Sequence, residues 1–331
     1  PKHVKEISEY SFSSCNELEQ IKFFEDSELK TIKEHSFSST SISTISIPSS
    51  VEFIGDSTFA NCKKLLSFSF PKGSKLQSIE KNVFFNSSIE KVVIPFQISQ
   101  IKADAFSCCK RLKYVEFPKN SKLALIDDEA FSKTLIEQIL IPAQVITIGE
   151  RAFYGCYNLK SIEIPTNSKL RSIQKEAFCK TSFEKFLIPS QVNQLGEGAF
   201  SCCDKLKTIR FPPDSKLDLI DDRTFFNSSI EKVSIPCNIK RIGAYAFSVC
   251  ENLISVEFSG NSKLQSIDQS AFSCTSIEKV TIPSHVKEIK DCAFVSCQDL
   301  TTVNFSRDSD LRFIGNDAFS YTSLERVMIP A

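Results

Sequence analysis

Two nearly identical words, Ala105–Leu112 (AFSCCKRL) and Ala199–Leu206 (AFSCCDKL), each set two cysteines side by side in a chain of 331 residues that holds 13. Vicinal thiols can ligate metal, cycle redox states or belong to a disulfide framework. Zinc sites draw on converging Cys-x-x-Cys words, and the chain contains no such pair of pairs. The side chains of Cys108 and Cys109, being adjacent, should point different ways. The histidines are His3, His35 and His285, with His3 and His285 near opposite ends of the chain. No Ser-His-Asp or Cys-His constellation can be assembled from them. Asp127-Asp128 and Asp221-Asp222 recur just before an Ala-Phe or Thr-Phe word. Paired carboxylates can bind a cation, and acidic residues opening a helical turn are the structural use of the same pair. No glycine-rich phosphate loop is present. These residues therefore supply no catalytic residue, no metal site and no cofactor site, and an enzyme is not expected.

Composition narrows the classes further. Lysine plus arginine (40) balances aspartate plus glutamate (40), so no global field draws the chain to nucleic acid or acidic membranes. No apolar run approaches the ~20 residues of a membrane span, and no secretory signal opens the chain. The sequence begins at Pro1 without methionine and reads as an excised or processed piece of a longer protein. It holds 29 Phe, no Trp and one Met, a bias that calls for an architectural cause.

That cause is a repeat. Phe12, Phe37, Phe59, Phe84, Phe106, Phe131, Phe153, Phe178, Phe200, Phe225, Phe247, Phe272, Phe294 and Phe319 follow one another in alternating steps of 25 and 22 residues. The prolines Pro48, Pro95, Pro142, Pro189, Pro236, Pro283 and Pro330 recur every 47. Seven copies of a 47-residue pair make 14 coils, which predicts one solenoid over 1–331 rather than separate globular domains. Segments such as Leu159–Pro165 alternate apolar and polar residues, the pattern of a half-buried strand, and proline then ends the strand. The apolar spacing over Ile148–Leu159 predicts a short helical or 3-10 turn carrying Ala-Phe inward. A single coil cannot bury its apolar edge, so coils must stack. The expectation is an α/β solenoid with one continuous parallel sheet and a phenylalanine spine.

The pattern L-x-x-I-x-I-P-x-x-V-x-x-I-G-x-x-A-F-x-x-C, with words such as Ile188–Val192, Ile148-Gly149 and Ala152–Cys156, resembles the leucine-rich repeats of BspA-like surface antigens over essentially the whole chain. The strict alternation of a long and a short coil is similar to the protist members. The resemblance implies a cell-surface or extracellular, adhesive, host-interacting role and carries no catalytic motif.

The repeat also sorts the thiols. Cys15, Cys62, Cys109, Cys156, Cys203, Cys250 and Cys297 stand three residues after the phenylalanine of every long coil, where the short coils carry Thr or Ser. Cysteines of this column lie two coils, or ~10 Å, apart, beyond the ~7 Å that a disulfide spans. They read as buried free thiols packing as small hydrophobes. Cys108, Cys179, Cys202, Cys237, Cys274 and Cys292 fit no column and are expected near the surface. Cys179 and Cys202 lie on adjacent coils, where a strained disulfide stays open.

Candidate binding residues lie on the strands. In the word L-x-x-I-x-I, the second position reads Glu90, Lys113, Glu137, Lys160, Glu184, Lys207 and Glu231 over consecutive coils, an alternating charge ladder that favours register. The fifth position holds Val93, Glu116, Leu140, Glu163, Leu187 and Arg210. Tyr114, Glu116, Leu140, Glu163 and Leu187 are the candidate partner-binding surface. Lys75, Lys122, Lys169, Lys216 and Lys263 of the Ser-Lys-Leu words form a basic stripe able to track a sulfated or sialylated chain, bounded by Glu28 and Asp310. Asn86, Asn227 and Asn304 head glycosylation acceptor words. The expected partners are protein or glycan ligands on host cells or matrix, without nucleic acid, and end-to-end association through stacked coils is expected. The alternative is an intracellular or secreted effector scaffold that binds one protein, since 13 free thiols suit a reducing, cytoplasmic compartment.

Overall fold

The computed structural model describes residues 3–24 and 26–330, so Pro1, at which the chain opens, lies outside them. The chain divides into two compact units, Pro1–Leu170 and Arg171–Ala331. The sequence period crosses that division without a change of step, from Phe153 to Phe178.

In both units most of the L-x-x-I-x-I words form three- or four-residue strands with an inward-facing residue between exposed neighbours, as in Lys91–Val93, Tyr114–Glu116 and Gln138–Leu140. All pair in parallel. Steps of 23 residues pair along the whole strand, Lys91 with Tyr114, Val92 with Val115 and Val93 with Glu116. Several steps of 24 residues hold register at a single residue, as at Ser67 with Lys91 and Thr208 with Lys232, while the last pairs two, Thr302 with Arg326 and Val303 with Val327. In the first unit the row divides between Tyr114–Glu116 and Gln138–Leu140, again a 24-residue step. The continuous sheet expected from sequence is thus replaced by shorter parallel ladders.

A second set of ladders comes from the V-x-x-I-G words. Leu125–Ile126 pairs with Thr147–Ile148 in the first unit, and Ser266–Ile267 with Glu288–Ile289 in the second. The coils approach closely here. A Cβ on Gly149 would lie 2.6 Å from the Asp128 nitrogen, and one on Gly243 would lie 2.7 Å from the Asp222 nitrogen, which requires glycine at these two sites.

The Ala-Phe words depart from expectation, because they form no helical or 3-10 turn. Each core phenylalanine is bracketed two residues before and two after by residues with φ between +51° and +66°, for example Asp104 and Cys108 around Phe106. Helices need unbroken right-handed backbone, so the left-handed residues cut the segment into separate turns. Alternate amides then serve two purposes. Ala105, Ser107 and Cys109 donate within the segment to the carbonyls of Lys102, Asp104 and Phe106. Asp104, Phe106 and Cys108 donate to Asp128, Ala130 and Ser132 of the next coil, at 2.8–2.9 Å. The apolar spacing that suggested a helix is met by a stack of turns, joined coil to coil.

Inside the turns lies the spine. From Phe12 to Phe153 in the first unit, and from Phe178 to Phe319 in the second, successive rings stack with centroids 5.1–5.7 Å apart and planes within 19°. That is the spacing of offset-stacked aromatic pairs. The rings from Phe37 to Phe153 and from Phe178 to Phe294 are almost wholly excluded from solvent, so the coil is a frame around an aromatic core.

Candidate functional site

The thiols resolve first. Cys62, Cys109, Cys156, Cys203, Cys250 and Cys297 are buried. Each donates its S–H to the carbonyl of the preceding short-coil phenylalanine: Cys109 to Phe84 at 3.0 Å, Cys156 to Phe131 at 3.1 Å. Each also meets the hydroxyl of that coil, Cys62 with Thr40 at 3.3 Å and Cys109 with Ser87 at 3.4 Å. The alternation of cysteine with Thr or Ser is therefore a bonded pair closing one carbonyl per double coil. Burial pushes Cys109 up to about 12 and Cys156, Cys203 and Cys250 up to about 11, against the opposing hydroxyl bonds. Cys15, the first of the column, is exposed.

Of the other six, Cys108, Cys202, Cys237, Cys274 and Cys292 are exposed or part-exposed, as expected, and Cys179 is not. Cys108, Cys202 and Cys274 occupy the left-handed place after the phenylalanine and Cys292 the one before it, so these four do follow columns. Cys179 is buried, in the small-residue place directly after Phe178, because that place faces inward as at Ser107 and Ser132. Cys179 and Cys202 are both free thiols.

Asp128 accepts from the Glu150 amide of the next coil at 2.8 Å, and Asp222 from the Ala244 amide at 2.9 Å. The paired aspartates thus cap neighbouring coils, and no helical turn follows them. His3 meets Glu28 and His285 meets Asp310, both at 3.1 Å. The histidines therefore engage the two acids that bound the lysine stripe. Residues of the second-position charge ladder form no ion pair with one another inside either unit among the described residues. Glu90 instead meets Arg111 at 3.8 Å. Asn86 holds the Asn61 side chain at 2.8 Å, Asn227 stands exposed beside Cys202, and Asn304 lies exposed on the strand Thr302–Phe305.

Four of the five candidate surface residues share the first unit. Tyr114 and Leu140 stand out from the sheet, each 47% exposed. Glu116 and Glu163 flank Leu140, and these three line a shallow depression of about 360 Å³ with Val115, Phe117, Gln138, Ile139 and Ser161. Glu116 is held by Lys91 at 2.6 Å. Leu187 belongs to the second unit, exposed and in register with Arg210. A second depression, of about 570 Å³, runs from Phe68 and Phe70 past Val93 to Phe96. It adds exposed Phe96 to the first unit's apolar surface. The sequence signal for it was an aromatic directly after the proline of an Ile-Pro word, where the other Ile-Pro words carry Ser, Thr, Ala or Cys.

The lysine stripe is partly engaged. Lys75 reaches Glu52 at 3.4 Å, Lys122 lies over the Phe96 ring, Lys216 donates to Gln191 at 2.7 Å and Lys263 to Asn238 at 3.2 Å. Lys169 is exposed.

No helix among the described residues is long and apolar enough to cross a membrane. Among solved structures, a leucine-rich repeat protein from Bacteroides ovatus is 25% identical, covering 97% of this chain and 75% of its own, with a TM-score of 0.57. The pneumococcal vaccine antigen PcpA is 21% identical over 85% of this chain and 76% of its own, with a TM-score of 0.53. A leucine-rich repeat protein from Eubacterium ventriosum is 21% identical over 91% of this chain and 84% of its own, also at 0.53. These likenesses agree with the β-solenoid coils. No curated protein matches the chain. The model of the BspA type leucine rich repeat region, a repeat family of generally non-enzymatic, protein-binding scaffolds, matches residues 1–113, 124–254 and 218–331 in six copies. With stacked phenylalanines, parallel ladders and repeat words coinciding in every coil, the chain belongs to the BspA-type leucine-rich repeat family.

Proposed function

We infer that the chain is a non-enzymatic, surface-displayed scaffold that mediates adhesion by binding a protein partner through the exposed sheet face of its first unit. The observation that carries this reading is the gathering of Val93, Phe96, Tyr114 and Leu140, all exposed, on a frame of paired strands. Apolar and aromatic groups held on rigid elements, with charges such as Glu116 and Lys91 beside them, have the make-up of an interface centre and rim. Membership of the BspA-type repeats supports display outside the cell. The test is capture of partners from an extract of host-cell surface proteins, by the parent chain and by a Y114A/L140A variant. The reading expects the variant to lose the captured protein by at least ~10-fold in affinity, the scale of removing one or two hot spots. Equal capture by both would sink it.

The accessible thiols favour a second reading, an effector scaffold inside a reducing compartment that binds a single protein. Glycan on Asn86 or Asn227 in protein from its native cell would exclude that reading, and all-reduced, unglycosylated protein from a cytosolic fraction would exclude surface display.

A further inference from the structure

The second unit carries a row of cations that the sequence words for strands obscure. Its seven face strands, from Lys185–Leu187 to Arg326–Val327, form one parallel ladder. Their first residues stand in register: Lys185 beside Thr208, then Lys232, Ser255, Lys279, Thr302 and Arg326. A cation thus alternates with a hydroxyl on seven consecutive strands, and the cations repeat every two strands, ~10 Å apart. Lys185, Lys232, Lys279 and Arg326 are all exposed, and none forms an ion pair among the described residues. The second unit's ion pairs, such as Lys175 with Glu197 and Lys290 with Asp268, lie off this row. The matching row of the first unit has one lysine, Lys91, and Glu116 neutralises it. Beside the row stands another exposed, unpaired cation, Arg210, against one carboxylate, Glu257, which Ser234 engages at 3.3 Å. Glu184, Glu231, Glu278 and Glu325 precede the cations in sequence, one residue before their strands begin.

We propose that this face of the second unit binds a linear sulfated polysaccharide lying across the strands. Unpaired lysines are strongly hydrated point charges that suit single sulfate groups, and the intervening hydroxyls of Thr208, Ser255 and Thr302 can donate to sulfate or sugar oxygens. The row and its neighbours Leu187, Arg210, Ser234, Glu257, Thr281 and Asn304 hold no aromatic ring, so they lack the stacking platforms that single-stranded nucleic acid uses. The cations are also far sparser than the phosphates of a duplex, one per ~1.7 Å of axis. The flanking glutamates oppose the anion and set a ceiling on affinity. The site is separate from the protein-binding surface of the first unit.

Heparin serves as the sulfated probe, with desulfated heparin as its control, in surface plasmon resonance at low and high sodium chloride. Binding is expected to weaken as salt rises, because exposed charges are screened. The K232S/K279S variant should bind at least ~10-fold more weakly, since two cations are lost from an extended electrostatic contact. An E231Q/E278Q variant should bind more tightly. Y114A/L140A should bind heparin as the parent does, which keeps this result apart from the fate of the adhesion reading. All these residues are exposed, and matching circular-dichroism melts establish that the variants fold. Unchanged affinity in K232S/K279S, equal binding of desulfated heparin, or a single-stranded oligonucleotide competing as tightly as heparin would each overturn the proposal.

Discussion

At the scale of single residues, the buried column thiols act as hydrogen-bond donors. The buried Phe84 carbonyl accepts from the Ser87 amide of its own turn at 3.0 Å, and the Cys109 thiol of the next coil adds a second donor at 3.0 Å. A further hydrogen bond of this kind adds about 0.5–1.5 kcal/mol, which favours a cysteine where an alanine would otherwise fit. Ionisation would turn that donor into a buried charge, and burial accordingly raises the thiols well above the ordinary value of 9.0, to about 12 at Cys109 and about 11 at Cys156. Two consequences can be measured together. A thiol reagent at neutral pH should label six cysteines of the native chain, namely Cys15, Cys108, Cys202, Cys237, Cys274 and Cys292, and the remaining seven only after unfolding. The sign of the pH effect follows from proton counting. Above pH 9 the unfolded chain releases these protons while the folded chain keeps them until about 11, so the folded state binds more protons and stability falls as pH rises through that window. Urea midpoints that stay level from pH 8.5 to pH 10.5 would contradict this assignment of the column.

The turns are the element that distinguishes this chain from a helix-backed repeat, and they rest on left-handed backbone at two places per coil. A non-glycine residue gives up about 1–2 kcal/mol there, offset by amides that reach the next coil, as at Cys108 with Ser132. Asn61, Asn82, Asn86 and Asn227 suit the conformation, whereas Val249 at φ 60° is β-branched and the least suited. Val249→Asn should therefore raise the thermal midpoint, by the few degrees that correspond to about 1 kcal/mol. A lowered midpoint would mean that packing of the valine outweighs its backbone cost. These turns also explain what could and could not be read from the sequence. Phenylalanine spacing, strand words and the cysteine column were legible because each is a side-chain pattern facing the core. So were Tyr114 and Leu140, as apolar residues on the outward parity of a strand. The left-handed places were not, since Tyr10, His35, Lys133, Arg151, Glu176 and Val249 share no side-chain chemistry and the energy lies in backbone bonds between coils. The Lys185 row escaped for another reason. Its spacing is that of the second-position ladder one residue earlier, but only the structure shows its cations exposed and outside every ion pair of the second unit among the described residues.

For the molecule as a whole, the unit of construction is the 47-residue pair rather than the single coil. A short coil supplies the hydroxyl and the phenylalanine carbonyl, and the following long coil supplies the thiol that completes them, as Thr134 and Phe131 meet Cys156. Strand steps follow the same period, since steps of 23 and 24 residues alternate, as from Ser67 to Lys91 and from Lys91 to Tyr114. Stability in stacked repeats is close to a sum of neighbour interfaces, so removing one complete pair should cost little beyond its own contacts. Deleting residues 95–141 joins Ile94 to Pro142, keeps the 22-residue step from Phe84 to Phe153 and brings Cys156 to Phe84 and Ser87. Deleting residues 126–147 takes out only the coil of Phe131. It sets two long coils together, places Cys156 against Cys109 without a hydroxyl, and upsets the alternation of strand steps. The smaller deletion should therefore be the more damaging, by about 1 kcal/mol for the lost hydroxyl–thiol bond plus the mismatched ladder. Urea unfolding followed by far-ultraviolet circular dichroism compares the two directly. If the 22-residue deletion unfolds at the same urea concentration as the 47-residue one, or a higher one, the coils are independent and the pair has no special standing.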